Sequence, residues 1–550
     1  MFQYDEIAIE IELSGAGGGW TDISEDVLPP IYFSAGILGN ELTDRVASPG
    51  AITFALNNSS TNSGGLDGYY SPGHVNCRSG FDVGIVVRLK ITIESLTVYS
   101  RYRVYAEGII VAPGSYGKRI TKVTAYDWME ESSINEVVLP TLVYDKTADE
   151  IIQSIVGGLP ASAQPKNVSL ESGVTEFNTA FDLVRKKTKA RSEFVKYMLA
   201  EFGYIYRMRN QADGETLRME NRTVRSLIAS LQPLRVPADE SDYLVTENDD
   251  YLVTENDDYL MVSTSQEASF DGADIIGMPD TERGNHLYNS VRVLTHPRYV
   301  DSTTVQLWEL TKPFTLAPDE EKTYTIYFRD PNNKDNKIAG FDIINPPVSG
   351  TDYDFNSSEG GGGTDLNASL TITYVSVGAN GVEIYVKNNH GSLAGWMVTQ
   401  QVRGKGIYTY DQIESQREDE TSIQNYGLRE LSIDMQAQDE PLYGDSFADL
   451  LLEQNKEPVS IAEWLLINAN RSSKCLYGLL QLEIGTRFHF DDAQVGFDYD
   501  CVVNGYEGWI YDNGIVNYKL YPVIYSSGFG YWYLGVVGSS ELGITTRLGV

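Results

Sequence analysis

Histidine, cysteine and carboxylate are the side chains with which this chain could do chemistry, and their spacing is the first thing to read. The five histidines are His74, His286, His296, His390 and His489; none falls in an HExxH pattern and none pairs with another at helical spacing. The three cysteines, Cys77, Cys475 and Cys501, lie far apart with no paired spacing, so neither a disulfide framework nor a CxxC zinc site is readable, and free, mostly buried thiols are expected. His74 and Cys77 form an HxxC in a turn-rich segment. Two ligands do not make a zinc site, and a loop histidine beside a buried thiol accounts for the pair. No GxSxG elbow is present, which removes support for serine hydrolase chemistry. Among 77 Asp and Glu residues the best single acid is Glu463, where the neighbouring Trp464 would raise a carboxyl pKa and suit it to general acid work. An amphipathic helix face explains the same dipeptide. No residue is therefore assigned as catalytic, cofactor-binding or metal-ligating, no cofactor is expected, and the chain is expected not to be an enzyme.

The elements that would have to position such residues are mainly strands. With 550 residues the chain is too long for one ordinary domain. Its net charge of −35 makes the surface anionic, the wrong sign for holding a phosphate backbone. Tyr is present 36 times against 18 Phe, which suits strands that are half buried or meet partner surfaces. The N-terminus, MFQYDEIAIEIEL, has no basic stretch, apolar run or cleavage site, so synthesis and folding in a cytoplasm are expected. No apolar stretch reaches the roughly 18 residues of a membrane helix, and no stable membrane insertion is expected.

Along the chain, alternation predicts strands at Ala51 to Leu56, Ile85 to Ile93, Tyr102 to Ile110 and Lys122 to Asp127, around a long turn-rich excursion, NNSSTNSGGLDGYYSPGH. TADE at Thr147 to Glu150 is a capping box, followed by one apolar face of Ala148, Ile151, Ile152, Ile155 and Val156 and a stop at Gly157, Gly158 and Pro160. A second helix is predicted over Ser192 to Phe202 with Gly203 as its stop, then a hairpin of Tyr204 to Met208 and Thr216 to Glu220 turned by Asp213 and Gly214. DYLVTEND repeats from Asp242 and Asp250, and DYLM follows from Asp258. A period of eight suits strand-and-turn units; its regular carboxylates raise calcium, but the repeat lacks the glycines calcium loops use, and an extended arm or connector fits it better. Strands return at Val305 to Leu310, Thr323 to Phe328, Leu370 to Val377 and Val382 to Val386, around a glycine run, Glu359 to Asp365, without the Gly-Lys-Ser/Thr ending of a phosphate cradle. A helix near Ser446 to Gln454 precedes strands ending in a hairpin at Asp512, Asn513 and Gly514.

The fold class expected is mainly β with α+β portions and several domains. Residues 1–135 form a barrel-like module, 136–235 an α+β domain, 236–298 a connector with the octad repeat, 299–405 an inserted immunoglobulin-like β-sandwich, and 406–550 a second barrel-like module.

The ending WYLGVVGSSELGITTRLGV, Trp532 to Val550, resembles that of a family of minor tail proteins of long-tailed bacteriophages, the baseplate-hub-like tail hub proteins. Similar to that family too are GWTDISEDV followed by GILGNELTDRVASPGAITFALNNSS and GYYSPGH, the segment AEFGYIYRMRNQADGETLRMENR, and SIQNYG at Ser422 to Gly427. Together they touch both ends and the middle. The resemblance implies a virion protein of the tail tip: a homotrimeric hub whose barrel-like domains, two per subunit, make a six-fold-like ring. It would meet the distal tail protein, tail tube, tape measure protein and tip or fibre proteins, while genomic DNA passes without specific binding. Trp532, Leu534, Leu542 and Arg547 are the assembly residues it nominates. An acidic inner wall would repel DNA phosphates during transit. The rivals are a hexameric distal tail protein, a fibre-bearing tip protein, a tail-associated cell-wall hydrolase, and a carbohydrate-binding module in the sandwich drawing on Trp308, Tyr324 and Trp396, although aromatics in strands are more often core.

Overall fold

Strand Val86–Ile93 shows how the sequence builds most of this protein. Val87, Leu89, Ile91 and Ile93 are buried while Arg88, Lys90 and Thr92 alternate outward, as the period of two in a half-buried strand requires. Its outward cations meet acids of the neighbouring strand Glu6–Glu12: Arg88 lies opposite Glu10 and pairs with it, and Lys90 reaches Glu6 at 2.6 Å. The structure, a computed structural model, describes residues 2–13, 19–38, 42–112, 119–138, 143–180, 187–225, 235–237, 265–279, 284, 286–378, 380–458 and 462–524. The octad repeat at Asp242 onward and Trp532, Leu534, Leu542 and Arg547 lie outside these residues.

The protein is mainly β with several sheets, and among the described residues the buried apolar side chains form three cores. The largest belongs to a 14-stranded sheet, eleven strands of which run, neighbour to neighbour, from Ile275–Gly277 through Leu465–Asn468, Val516–Ile524, Phe497–Ile510, Val27–Gly36, Ala51–Asn57, Ile120–Tyr126, Leu96–Arg103, Val86–Ile93 and Glu6–Glu12 to Trp20–Asp22, while Ile109–Val111, Ser269–Asp271 and Arg487–Asp492 pair off this path. Among the described residues this path closes into no barrel. The strand sets near the two chain ends, expected as separate modules, are hydrogen-bonded to each other: Val27–Gly36 runs antiparallel to Phe497–Ile510, from Ile31 opposite Ile510 to Gly36 opposite Gly505. Glycines permit this close approach, since a Cβ on Gly36, at φ 94°, would strike the Asn504 carbonyl, and one on Gly508 would strike the Phe33 ring.

Two predicted elements shift for readable reasons. The strand expected over Tyr102 to Ile110 is interrupted: Leu96–Arg103 ends, Glu107 turns the chain at φ 71°, and Ile109–Val111 resumes beside Ile120–Tyr126. Helix Ala190–Glu201 starts before the predicted Ser192, and its left-handed cap is Phe202, at φ 60°, rather than Gly203. A left-handed phenylalanine is unfavourable by itself. Packing offsets it, because the Phe202 ring lies 5.1 Å from that of Phe447 with the Arg45 guanidinium 3.6 Å above it. The capping box holds as predicted, with the Thr147 backbone N–H donating to Glu150 at 3.2 Å and helix Ala148–Gly157 burying the predicted face. Hairpin Tyr204–Met208 with Thr216–Glu220 also forms as predicted, and these helices and strands share the largest core.

The second core lies in residues 305–408. Strand Gly395–Thr409 is its spine, pairing with Arg298–Val300, Val305–Glu309, Phe314–Leu316, Ala339–Phe341 and Tyr353–Asn356. A separate sheet, Glu321–Tyr327, Gly381–Asn388 and Leu370–Gly378, adds Ile326, Ile384 and Val386 to the same core. The third core is small. Ser290–Thr295 pairs antiparallel with Ile413–Glu418 and parallel with Glu430–Met435, and helix Pro441–Asn455 contributes Phe447, Leu451 and Leu452. The described residues of the expected 406–550 module therefore serve different cores, Ile433 to Leu452 chiefly the third and Leu465 to Leu520 the largest.

Candidate functional site

Hairpin Tyr204–Met208 carries a feature that apolar patterning hides. Arg207 is fully buried, and its Nε donates to Asp127 Oδ2 at 3.3 Å. Asp127 is itself the N-cap of helix Trp128–Ile134, accepting from the Met129 N–H at 3.0 Å. Burial pushes the Asp127 carboxyl up to about 6 against the opposing pull of Arg207. Two residues on, Arg209 donates from Nε to Glu483 at 2.7 Å and from Nη2 to the carbonyls of Leu480, in the last turn of helix Ser473–Gln481, and of Leu482, its C-cap. Those carbonyls have no partner within the helix, and a guanidinium there meets the negative end of its dipole. Arg225 completes the set, donating to Glu220 at 2.6 Å and to Asn504 Oδ1 at 2.9 Å. Three arginines of one short segment thus bolt the α+β residues to the first helix and to the C-terminal strands. YIYRMR, two cations at i and i+2 in an apolar stretch, is the sequence signal for Arg207 and Arg209; Arg225 lies beyond it.

A second device fixes the long excursion after Asn57. Asp26 accepts from the Tyr70 hydroxyl at 2.6 Å and from the Ser63 backbone N–H at 2.8 Å. Burial and the Asp26 carboxylate push the Tyr70 phenol up, so it stays a donor.

The residues nominated from sequence are scattered. Glu463 is exposed on a bend before strand Leu465–Asn468 rather than on a helix, and Trp464 is covered by the Lys519 ammonium at 4.8 Å. The Glu463–Trp464 dipeptide is thus not enclosed as a general acid requires. His74 Nδ1 accepts from the Asn76 N–H at 3.1 Å, while burial and the nearby Asp82 push the Cys77 thiol up. His296 contacts Asp434 at 2.5 Å, and His489 sits between Asp498 and Asp500 at 3.4 and 3.1 Å. Among the described residues no three potential metal ligands come together, and no helix is long and apolar enough to cross a membrane.

Two of the nominated aromatics do meet. Trp308 and Tyr324 line a groove of about 580 Å³ on the sandwich, and Trp396 is not among its walls. One wall is strand Val305–Glu309, which carries an extra residue at Leu307 so that Gln306 lies opposite Arg403 and Trp308 opposite Val402. Such bulges twist a strand and re-aim its side chains. The other wall is Glu321–Tyr327, an edge strand of the second sheet, and residues 329–335 close one end. Tyr324 donates its hydroxyl to Gln400 Oε1, and burial pushes its phenol up. Arg329, Asp330 and Asp335 line the groove along with the exposed ion pair of Lys334 and Glu309. Sequence reasoning missed Tyr327 and Arg329, because the groove exists only where two sheets meet.

No family model matches the chain, and no curated protein matches it. Solved structures similar to it include the 43 kDa tail protein of prophage MuSo2 from Shewanella oneidensis, at TM-score 0.42 and 9% identity, covering 94% of this chain and 98% of that one. The tail protein from Neisseria meningitidis MC58 has the same TM-score of 0.42 and identity of 9%, over 94% of this chain and 96% of its own. Prophage tail protein gp18 from Listeria monocytogenes EGD-e follows at TM-score 0.37 and 9% identity, over 94% and 95% of the two chains.

Proposed function

We propose that this chain is a structural subunit of a bacteriophage tail, three copies of which form the hub at the distal end of the tail tube. In this reading the hub joins the tube or distal tail ring to the tip and closes or gates the DNA channel. The observation that carries it is the union of the two chain ends in one sheet, Val27–Gly36 against Phe497–Ile510, with the sandwich set apart around its own core. A ring-forming wall made from both ends of a chain and an outward insertion is the plan that the tail-hub resemblance implies. The stretches carrying that resemblance also fall where the wall is fastened. Asp26 of GWTDISEDV holds Tyr70 of GYYSPGH, and Arg207 and Arg209 lie in AEFGYIYRMRNQADGETLRMENR.

The role asked of these residues is assembly rather than catalysis. The two barrel-like modules expected from the sequence, joined here in one sheet that closes into no barrel among the described residues, would build the ring together. Large half-apolar faces suit obligate oligomers, which commonly bury more than about 2,000 Å² per interface. Trp532, Leu534, Leu542 and Arg547 would dock the C-terminal segment, and distal tail, tube, tape measure and fibre proteins are the partners expected. Part of the −35 charge would face the channel, where like charge keeps DNA from adhering. The test is the copy number in intact particles together with the mass of the purified protein in solution. Three copies per particle are expected. Six would move the chain to a hexameric distal ring, and absence from particles would reject a structural role.

A further inference from the structure

We infer that the groove on the sandwich is a binding site for a neutral hexose oligosaccharide, a property separate from hub assembly. Two aromatic rings carry the argument. Trp308 is half-buried on the sandwich core and Tyr327 is 51% exposed. Both line the groove, and among the described residues neither has a ring or cation stacked on it. Other large rings of this protein are covered, as Trp20 is by Arg88 at 4.1 Å and Trp464 is by Lys519 at 4.8 Å, whereas here two bare rings share one groove. Bare aromatic faces beside polar groups fit the C–H face of a pyranose, which is apolar on its flat side and polar around its rim.

The charges choose among ligands. Arg329 and Lys334 supply donors, and Glu309 and Asp330 supply acceptors, at the same groove. Sugar hydroxyls both donate and accept, so a neutral polyol satisfies both sets at once. An acidic polysaccharide would lose at the carboxylates and approach a chain of net charge −35. Strand addition by a peptide is discouraged because the edge strand begins with exposed Glu321 and Lys322, charges that guard an edge. A volume of about 580 Å³ is within the range of small-ligand sites, and its openness to solvent suits a short stretch of a longer chain.

The experiment is a glycan array probed with the full-length protein, carrying neutral hexose oligosaccharides and uronate-containing ones, followed by titration of the best binder. Binding to a neutral oligosaccharide is expected. Tyr327→Ala, which alters an exposed ring, is expected to weaken it about tenfold or more with the unfolding midpoint unchanged. Trp308→Ala is expected to remove it, and because that ring also rests on the core, Tyr327→Ala serves as the variant that cannot fail through misfolding. No neutral oligosaccharide bound at about 10 mM, tighter binding of uronates, or equal affinity in wild type and Tyr327→Ala would each overturn the assignment. The result stands apart from the copy number in particles, so either reading can fail alone.

Discussion

The hairpin junction and the sandwich groove use the same residue types to opposite ends. At the junction, Arg207 and Asp127 are almost wholly removed from water, with side-chain exposures of 0% and 1%. At the groove, Lys334 and Glu309 form their pair at 64% and 42% exposure. A buried pair is weak evidence of net stabilisation, since desolvation opposes the Coulomb gain, yet it tolerates no loss of one partner. An exposed pair costs and contributes little. Carboxylates of this chain thus serve in two ways: Asp127, Glu220 and Glu483 meet buried arginines at the junction, while Glu309 pairs in the open at the groove.

The comparison breaks most sharply at Arg207. Replacing it by Met is expected to cost about 3–5 kcal/mol of stability at pH 8, because Asp127 is left buried without its counter-charge; denaturant titration measures this, and a midpoint close to wild type would mean the two regions do not differ. The next effect is one of pH. Asp127 keeps its proton to about 6 when folded, above its ordinary 3.8, so between those values the folded chain binds more protons than the unfolded one. Its contribution to stability is therefore fully present below about pH 4 and lost as pH rises to about 6. Asp127→Asn should remove that slope from the denaturation midpoint followed across this window. An unchanged slope would show that other carboxylates set it. Smallest is Lys334→Ala, expected to change stability by no more than about 0.5 kcal/mol; a larger loss would place the groove among the structural junctions.

Alternation made individual strands legible, as Val86–Ile93 and Ala51–Asn57 show, and cap chemistry made helix Ala148–Gly157 legible. What alternation cannot supply is a partner. It says which face of Ala51–Asn57 is buried but not that Val27–Gly36 and Ile120–Tyr126 lie beside it, because period two fixes sides and leaves pairing to the whole chain. Phe202 as a left-handed cap was illegible for a related reason: local preference favoured Gly203, and contact with Phe447, distant in sequence, decided otherwise. At the candidate site, Trp308 and Tyr324 were visible as unusual aromatics, whereas Tyr327, Arg329 and the separation of Trp396 depend on how two sheets meet.

The base of the sandwich has a further consequence. The chain leaves the small third core along Ser290–Thr295 and returns along Ile413–Glu418, with Ser290 opposite Glu418, and the two paths stay paired outward to Val300 opposite Ile407. Departure and return are therefore one strand spacing apart, about 4.8 Å. Any independently folding unit with neighbouring termini can be spliced onto that two-strand stem without disturbing what lies beneath. The protein is arranged like a socket, and exchange of the unit at this position would alter the surface that residues 305–408 present while leaving the third core beneath it unchanged.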